Sequence, residues 1–158
     1  MKRKRLLSVL IALTLIFIWG NSILSRETSG ALSDGLMEIL NEAAFRLGLG
    51  EDFFTFMMDQ DGDGIEEPTS HIIRKAAHVT EFAVLGALIW LRLELQGRRR
   101  DLVSFALGAV VGASDEILQL FTHRGSQIKD VFIDACGVLL GLCLVKAAAA
   151  LRHRKGRM

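Results

Sequence analysis

At 158 residues the chain has room for one compact domain. Its apolar fraction of 51% and mean hydropathy of +0.35 argue against a soluble helical domain, whose helices need a polar outer face. The net charge of +1 conceals a segregation, with basic residues crowding three short stretches and acidic residues one long one.

The chain opens Met-Lys-Arg-Lys-Arg, and no charge follows from Leu6 to Ser25. About 20 apolar residues cross a bilayer as a helix, so residues 6–25 are predicted to form a first span. A cleaved signal peptide begins in the same way. No Ala-x-Ala site follows, and a retained helix is the better reading. Residues 25–70 then hold eleven acidic residues and two basic ones, Arg26 and Arg46. Within this loop (26–70), Leu32, Leu36, Ile39, Leu40, Ala43 and Leu47 follow helical spacing. An amphipathic helix over about 33–48 is expected near the membrane surface, begun by Ser33 or Asp34 and ended by Gly48 and Gly50. Phe53, Phe54, Phe56, Met57 and Met58 form a second apolar cluster. Asp59, Asp61, Asp63 and Gly64 resemble the start of a calcium loop. Ser70 stands where that loop needs a bidentate glutamate, so a plain acidic turn is the expectation.

A second span is predicted over 71–93. It is polar at first (His71, Arg74, Lys75, His78, Glu81) and apolar from Phe82 to Leu91. A short basic loop with Arg98, Arg99 and Arg100 follows. The third span, 102–121, runs uncharged from Leu102 to Ser114 and then meets Asp115 and Glu116. A polar loop with His123, Arg124 and Lys129 leads to the fourth span, 130–151, and residues 152–158 form a basic tail. Cys136 and Cys143 lie seven residues apart in this last run, roughly 10 Å along a helix. That is too far for a mutual disulfide, and both read as small packing residues.

The resulting expectation is an all-α, polytopic membrane protein, with one domain over 1–151. It is a four-transmembrane-helix bundle with an extracytoplasmic amphipathic helix. Thirteen of the nineteen Lys and Arg residues lie at the N-terminus, in 92–100 and from Lys146 onward. Four spans put all three stretches on one side, which the positive-inside rule makes the cytoplasm. The basic stretches therefore read as topology signals with an added attraction for anionic lipid, not as nucleic-acid contacts.

In that arrangement the intramembrane polar groups gather in the outer halves of three spans. The second contributes His78 and Glu81, the third Asp115, Glu116 and Gln119, and the fourth Asp130 and Asp134. Arg124 sits in the loop between the last two. Gly108, Gly112, Asp115 and Gln119 share one helical face, as do Asp130, Asp134, Gly137 and Gly141. Small residues at this spacing let helices approach closely in lipid. Charged groups inside a membrane are costly and mark function by default. An ion-paired knot serving assembly alone is the competing explanation.

At these residues the chain resembles the VanZ-like family, whose name comes from a teicoplanin-resistance protein. The matching pieces are Lys75-x-x-His78-x-x-Glu81-Phe82-x-x-Leu85-Gly86, then Asp115-Glu116-x-x-Gln119-x-Phe121-x-x-Arg124, then Asp130-x-x-x-Asp134-x-x-Gly137-x-x-x-Gly141. Glu81 departs from the pattern, since an aromatic residue is frequent there. The resemblance implies a bacterial envelope protein in the cell membrane with an effect on glycopeptide susceptibility.

Two functions follow as expectations. In one, the outward pocket binds and modifies a lipid headgroup or lipid-linked wall precursor. His78, Asp115, Glu116 and Asp134 would be catalytic, with His78 as acid or base because imidazole titrates near neutral pH. Lys75, Glu81, Gln119, Arg124 and Asp130 would bind the substrate. In the other, the protein binds or assembles without turnover. A divalent metal held by His78, Glu81, Asp115, Glu116 and Asp134 is conceivable, because Glu-x-x-His pairs build such sites in bundles. The order here is reversed, so no residue is assigned to a metal and no cofactor is named. The expected partners are the bilayer, anionic lipid and further copies of the chain in a homo-oligomer. No phosphate-cradling loop or nucleophile elbow is present.

Overall fold

The computed structural model describes residues 2–23, 35, 38–39, 42–43, 45–48, 69–121 and 128–155. Four long helices account for most of them, and there is no strand among the described residues. They are α1 (Lys2–Ile23), α2 (Thr69–Arg92), α3 (Gly97–Phe121) and α4 (Ile128–Lys155). Each covers one of the predicted segments. Three of them begin several residues earlier or end several later than hydropathy suggests, because Lys, Arg and Ala are good helix formers and no proline interrupts them. Gly97 turns the chain from α2 into α3 with φ of 56°, a backbone conformation that costs glycine little.

Two helices are long and apolar enough to cross a membrane, Lys2–Ile23 and the Lys129–Arg152 part of α4. Only 17% and 28% of their most apolar windows is buried by the rest of the protein. A core helix of a soluble protein would be mostly covered. Here Leu13, Ile16, Phe17, Phe132, Leu139 and Leu144 stand exposed, on a scale that marks an apolar surrounding. α2 and α3 span the lengths predicted for the second and third crossings and carry polar segments that α1 and α4 lack over most of their length.

The chain divides into two compact units, residues 1–23 with 77–158, and residues 24–76. In the first, α3 packs along α4 and α1 against α3. The core is Ile18 of α1, Phe82, Leu85 and Ile89 of α2, and Val138 and Leu142 of α4. Glycines set how closely α2 and α4 approach. A methyl group built on Gly137 would sit 2.7 Å from the Val79 carbonyl oxygen and 3.0 Å from Phe82 Cβ, and one on Gly141 would overlap the Ala83 carbonyl. Across the other groove, Gly108 receives the Val138 side chain and Gly112 faces Asp134 Cβ. The small residues singled out by spacing are thus the ones over which backbones come together.

The end of this unit that carries the 93–96 connection is fastened by polar contacts. Asp101 accepts from Trp90 Nε1 at 2.8 Å and from Lys146 Nζ at 2.6 Å, joining α2, α3 and α4. Arg100 donates to the Trp90 carbonyl at 2.6 Å and lies over the indole ring, 3.6 Å from its centre. Lys4 pairs with Glu94. A cavity of about 520 Å³ opens here, with Arg3, Trp90, Arg100 and Arg152 in its lining.

In the second unit, all the described residues between 35 and 46 are helical. Arg46 pairs with Glu42 one turn earlier at 2.6 Å. Leu47 N–H donates to Ala43, Gly48 N–H donates to Phe45, and Gly48 takes φ of 77°. This left-handed glycine ending falls where the sequence placed it. Ile39, Phe45 and Leu47 are exposed. The acidic turn over 59–65 and the Phe53–Met58 cluster lie outside the described residues.

Candidate functional site

Away from the Asp101 end, three helices bring acidic and imidazole groups together. α2 supplies His78 and Glu81, α3 supplies Asp115, Glu116 and Gln119, and α4 supplies Asp130 and Asp134. Asp115 is fully buried, Asp134 is 1% exposed and Glu116 4%. His78, Glu81 and Asp130 are half-buried. His78 Nδ1 stands 3.5 Å from Asp134 Oδ1, within ion-pair range but longer than a good hydrogen bond. One ligand atom from each of His78, Asp115 and Asp134 lies within 4.8 Å of the other two. Phe82, fully buried one turn after His78, stacks on the imidazole at 6.5 Å between ring centres.

The carboxylates differ in how they are held. Asp115 is fixed from both sides: Ser22 Oγ donates to its Oδ1 at 2.6 Å and Gln119 Nε2 donates to its Oδ2 at 2.9 Å. Glu81 accepts from Asn21 Nδ2 at 3.0 Å through one oxygen. Asp134 has a hydrogen-bond partner on neither oxygen among the described residues, and the same is true of Glu81 Oε2, Asp130 Oδ1 and His78 Nδ1. Buried polar atoms normally find partners. Leaving several unmet in one place costs stability, which is the mark of a site built for something else.

The model of the VanZ/LLP1 family matches residues 6–150. The chain belongs to the VanZ/LLP1 family. None of the curated proteins and none of the solved structures gave a match.

Within this VanZ/LLP1 chain, the sequence-predicted residues His78, Asp115 and Asp134 converge, with Gln119 bonded to Asp115 and Glu81 one turn from His78. Glu116 is buried on α3. Lys75 is half-buried on α2, three residues before His78. Arg124 lies outside the described residues.

Two members of the cluster were missed by sequence reasoning. Asn21 and Ser22 close the apolar run of α1, and they hydrogen-bond Glu81 and Asp115. The available signal was a pair of adjacent polar residues at the end of a span, on the side where the other polar groups gather. It was overlooked because neither residue is charged.

Proposed function

We propose that this VanZ/LLP1 protein crosses the bacterial cell membrane four times, over about 6–25, 71–93, 102–121 and 130–151, with both ends in the cytoplasm. The His78–Asp115–Asp134 cluster then opens toward the outer face. There it takes the polar headgroup of a lipid or lipid-linked wall precursor, and so alters glycopeptide susceptibility. The observation that carries this reading is the burial of two carboxylates beside an imidazole, with hydrogen-bonding capacity left unspent, among helices whose outward surfaces are apolar. The clustering of thirteen basic residues at one set of helix ends supports the orientation.

In the enzymatic form of this reading, His78 moves a proton to or from a headgroup hydroxyl or phosphate. Asp134 steadies the charged imidazole, and Asp115, held by Ser22 and Gln119, orients the group being changed. A second reading draws on the same bonds. The Ser22–Asp115–Gln119 chain ties α1 to α3, and it serves equally to assemble the bundle without turnover.

Single cysteines at Ser126, Gly97 and Arg157, in a Cys136→Ala, Cys143→Ala background, test the topology. A membrane-impermeant thiol reagent applied to intact cells is expected to label position 126 alone. Labelling at 97 or 157 instead overturns the orientation. His78→Gln and Asp115→Asn then separate the two functional readings. Loss of an effect on teicoplanin susceptibility at unchanged membrane level and thermal stability supports chemistry or binding at the site. Loss of the folded protein supports assembly alone.

A further inference from the structure

We propose that His78, Asp115 and Asp134 hold a first-row divalent cation. This inference rests on the outward pocket proposed above and names what the pocket contains. With the ion bound, His78 and Asp134 are its ligands, and the ion takes the place of the proton-carrying imidazole in the enzymatic form of that reading.

The first argument is charge. Asp115 and Asp134 are both buried, and Glu81 and Glu116 flank them. Of the basic side chains described in this unit of the chain, Lys129 lies at this end of the helices but is exposed, one residue before Asp130, whereas the others, such as Arg100, Lys146 and Arg152, belong to the other end. Two carboxylates buried side by side resist joint ionisation unless a proton or a cation sits with them. A buried charge without compensation is among the costliest features a protein can carry. A divalent ion removes that cost at one point.

The second argument is the unspent donor capacity. Both oxygens of Asp134 and Nδ1 of His78 have no hydrogen-bond partner among the described residues, although Asp134 is 1% exposed. One ligand atom each of His78, Asp115 and Asp134 lies within 4.8 Å of the other two. Three ligands around one ion with bonds of about 2.1 Å lie about 3.4 Å from one another in a tetrahedral arrangement. His78 Nδ1 and Asp134 Oδ1 already stand 3.5 Å apart, and side-chain rotations that shorten the remaining separations by up to about 1.4 Å (4.8 less 3.4) close the set. Asp115 is already oriented by Ser22 and Gln119, as outer-sphere partners orient metal-bound carboxylates elsewhere.

The third argument is donor type. One imidazole nitrogen and two carboxylates suit Mn2+ or Zn2+ better than Ca2+, which takes oxygen ligands almost exclusively. Three protein ligands leave positions open for a phosphate or hydroxyl oxygen of a headgroup. That is the pattern of catalytic sites, as opposed to closed structural ones.

The test uses the full chain purified in detergent, stripped with EDTA, then exposed to Mn2+ or Zn2+ and desalted. Close to one ion per chain is expected in the wild type, and at least tenfold less in Asp134→Asn and His78→Gln. Asp101→Asn, altered at the other end of the helices, should bind like the wild type. Because a variant at the cluster can fail to fold, the wild type carries a second readout. Its Mn2+ spin-echo spectrum should show nitrogen modulation from a coordinated imidazole. Less than a tenth of an equivalent in the wild type, undiminished binding in Asp134→Asn, or bound Mn2+ without nitrogen modulation overturns the inference. Binding of short-chain phosphatidic acid is followed in the same stripped samples. If binding depends on His78 and Asp134 but no ion binds, the cation fails and the headgroup reading stands. If the ion binds and the lipid does not, the reverse holds.

Discussion

Substituting Gly137 by alanine probes how tightly the site is clamped. The added methyl would lie 2.7 Å from the Val79 carbonyl oxygen and 3.0 Å from Phe82 Cβ. Ordinary contacts begin near 3.4 Å, so α2 and α4 must part by about 0.7 Å (3.4 less 2.7) at this level. Val79 is the neighbour of His78, and Gly137 lies one turn from Asp134. The parting therefore lengthens the 3.5 Å approach of His78 to Asp134. Overpacking of this kind costs about 1–3 kcal/mol, which corresponds to roughly 3–10 °C in melting temperature for a chain of this size. Gly20→Ala is the matched control. It is the same chemical change on a helix, where a methyl meets nothing within 4 Å, so intrinsic helix preference cancels between the two. Melting in detergent followed by intrinsic tryptophan fluorescence compares them. If Gly137→Ala melts with Gly20→Ala, α2 and α4 are not in backbone contact, and the reasoning about how the site is assembled is wrong.

Ser22→Ala removes the 2.6 Å hydrogen bond to buried Asp115 and should cost about 1–3 kcal/mol, read as a lower melting temperature. Asp101 gives a pH signature. Donation from Lys146, and then from the Trp90 indole, holds its carboxyl below the usual carboxylate range. Its contribution is therefore present above the unfolded value near 3.9 and is lost as pH falls through the lower folded one. Between pH 5 and 3 the wild type should lose more thermal stability than Asp101→Asn, and equal losses would count against the bridge. Lys146→Met should lower stability by less than about 1 kcal/mol at neutral pH, since the pair is partly exposed. Arg3→Gln with Arg152→Gln should lower the amount of phosphatidylglycerol retained by the detergent-purified protein while leaving retained phosphatidylcholine unchanged, because the cavity between these residues is lined by cations.

Hydropathy and helical spacing located all four helices, since long uncharged runs and glycines at intervals of three and four leave few alternatives. Gly137 and Gly141 fell on the contact face as spacing required, and Gly48 ended its helix as glycine commonly does. Spacing also indicated that His78, Asp115 and Asp134 share a depth. It did not show which carboxylate would be held and which left open, because that depends on partners distant in the chain. Ser22 reaches Asp115 across 93 positions, and no local pattern reports it. The helix ends ran past their predicted limits, because hydropathy marks where lipid is tolerated whereas helix formation continues through Lys and Arg.

The last turn of α1 has a consequence for how the protein is made. Asn21 and Ser22 are synthesised before the helices that carry Glu81 and Asp115, and Asp134 is synthesised after them. The cluster exists only after α1 and α4 have both joined α2 and α3. A chain stalled before α4, or trimmed behind α1, presents an incomplete set of partners. The shape of the cluster is thereby set only once α4 has been made and has packed on α2 and α3.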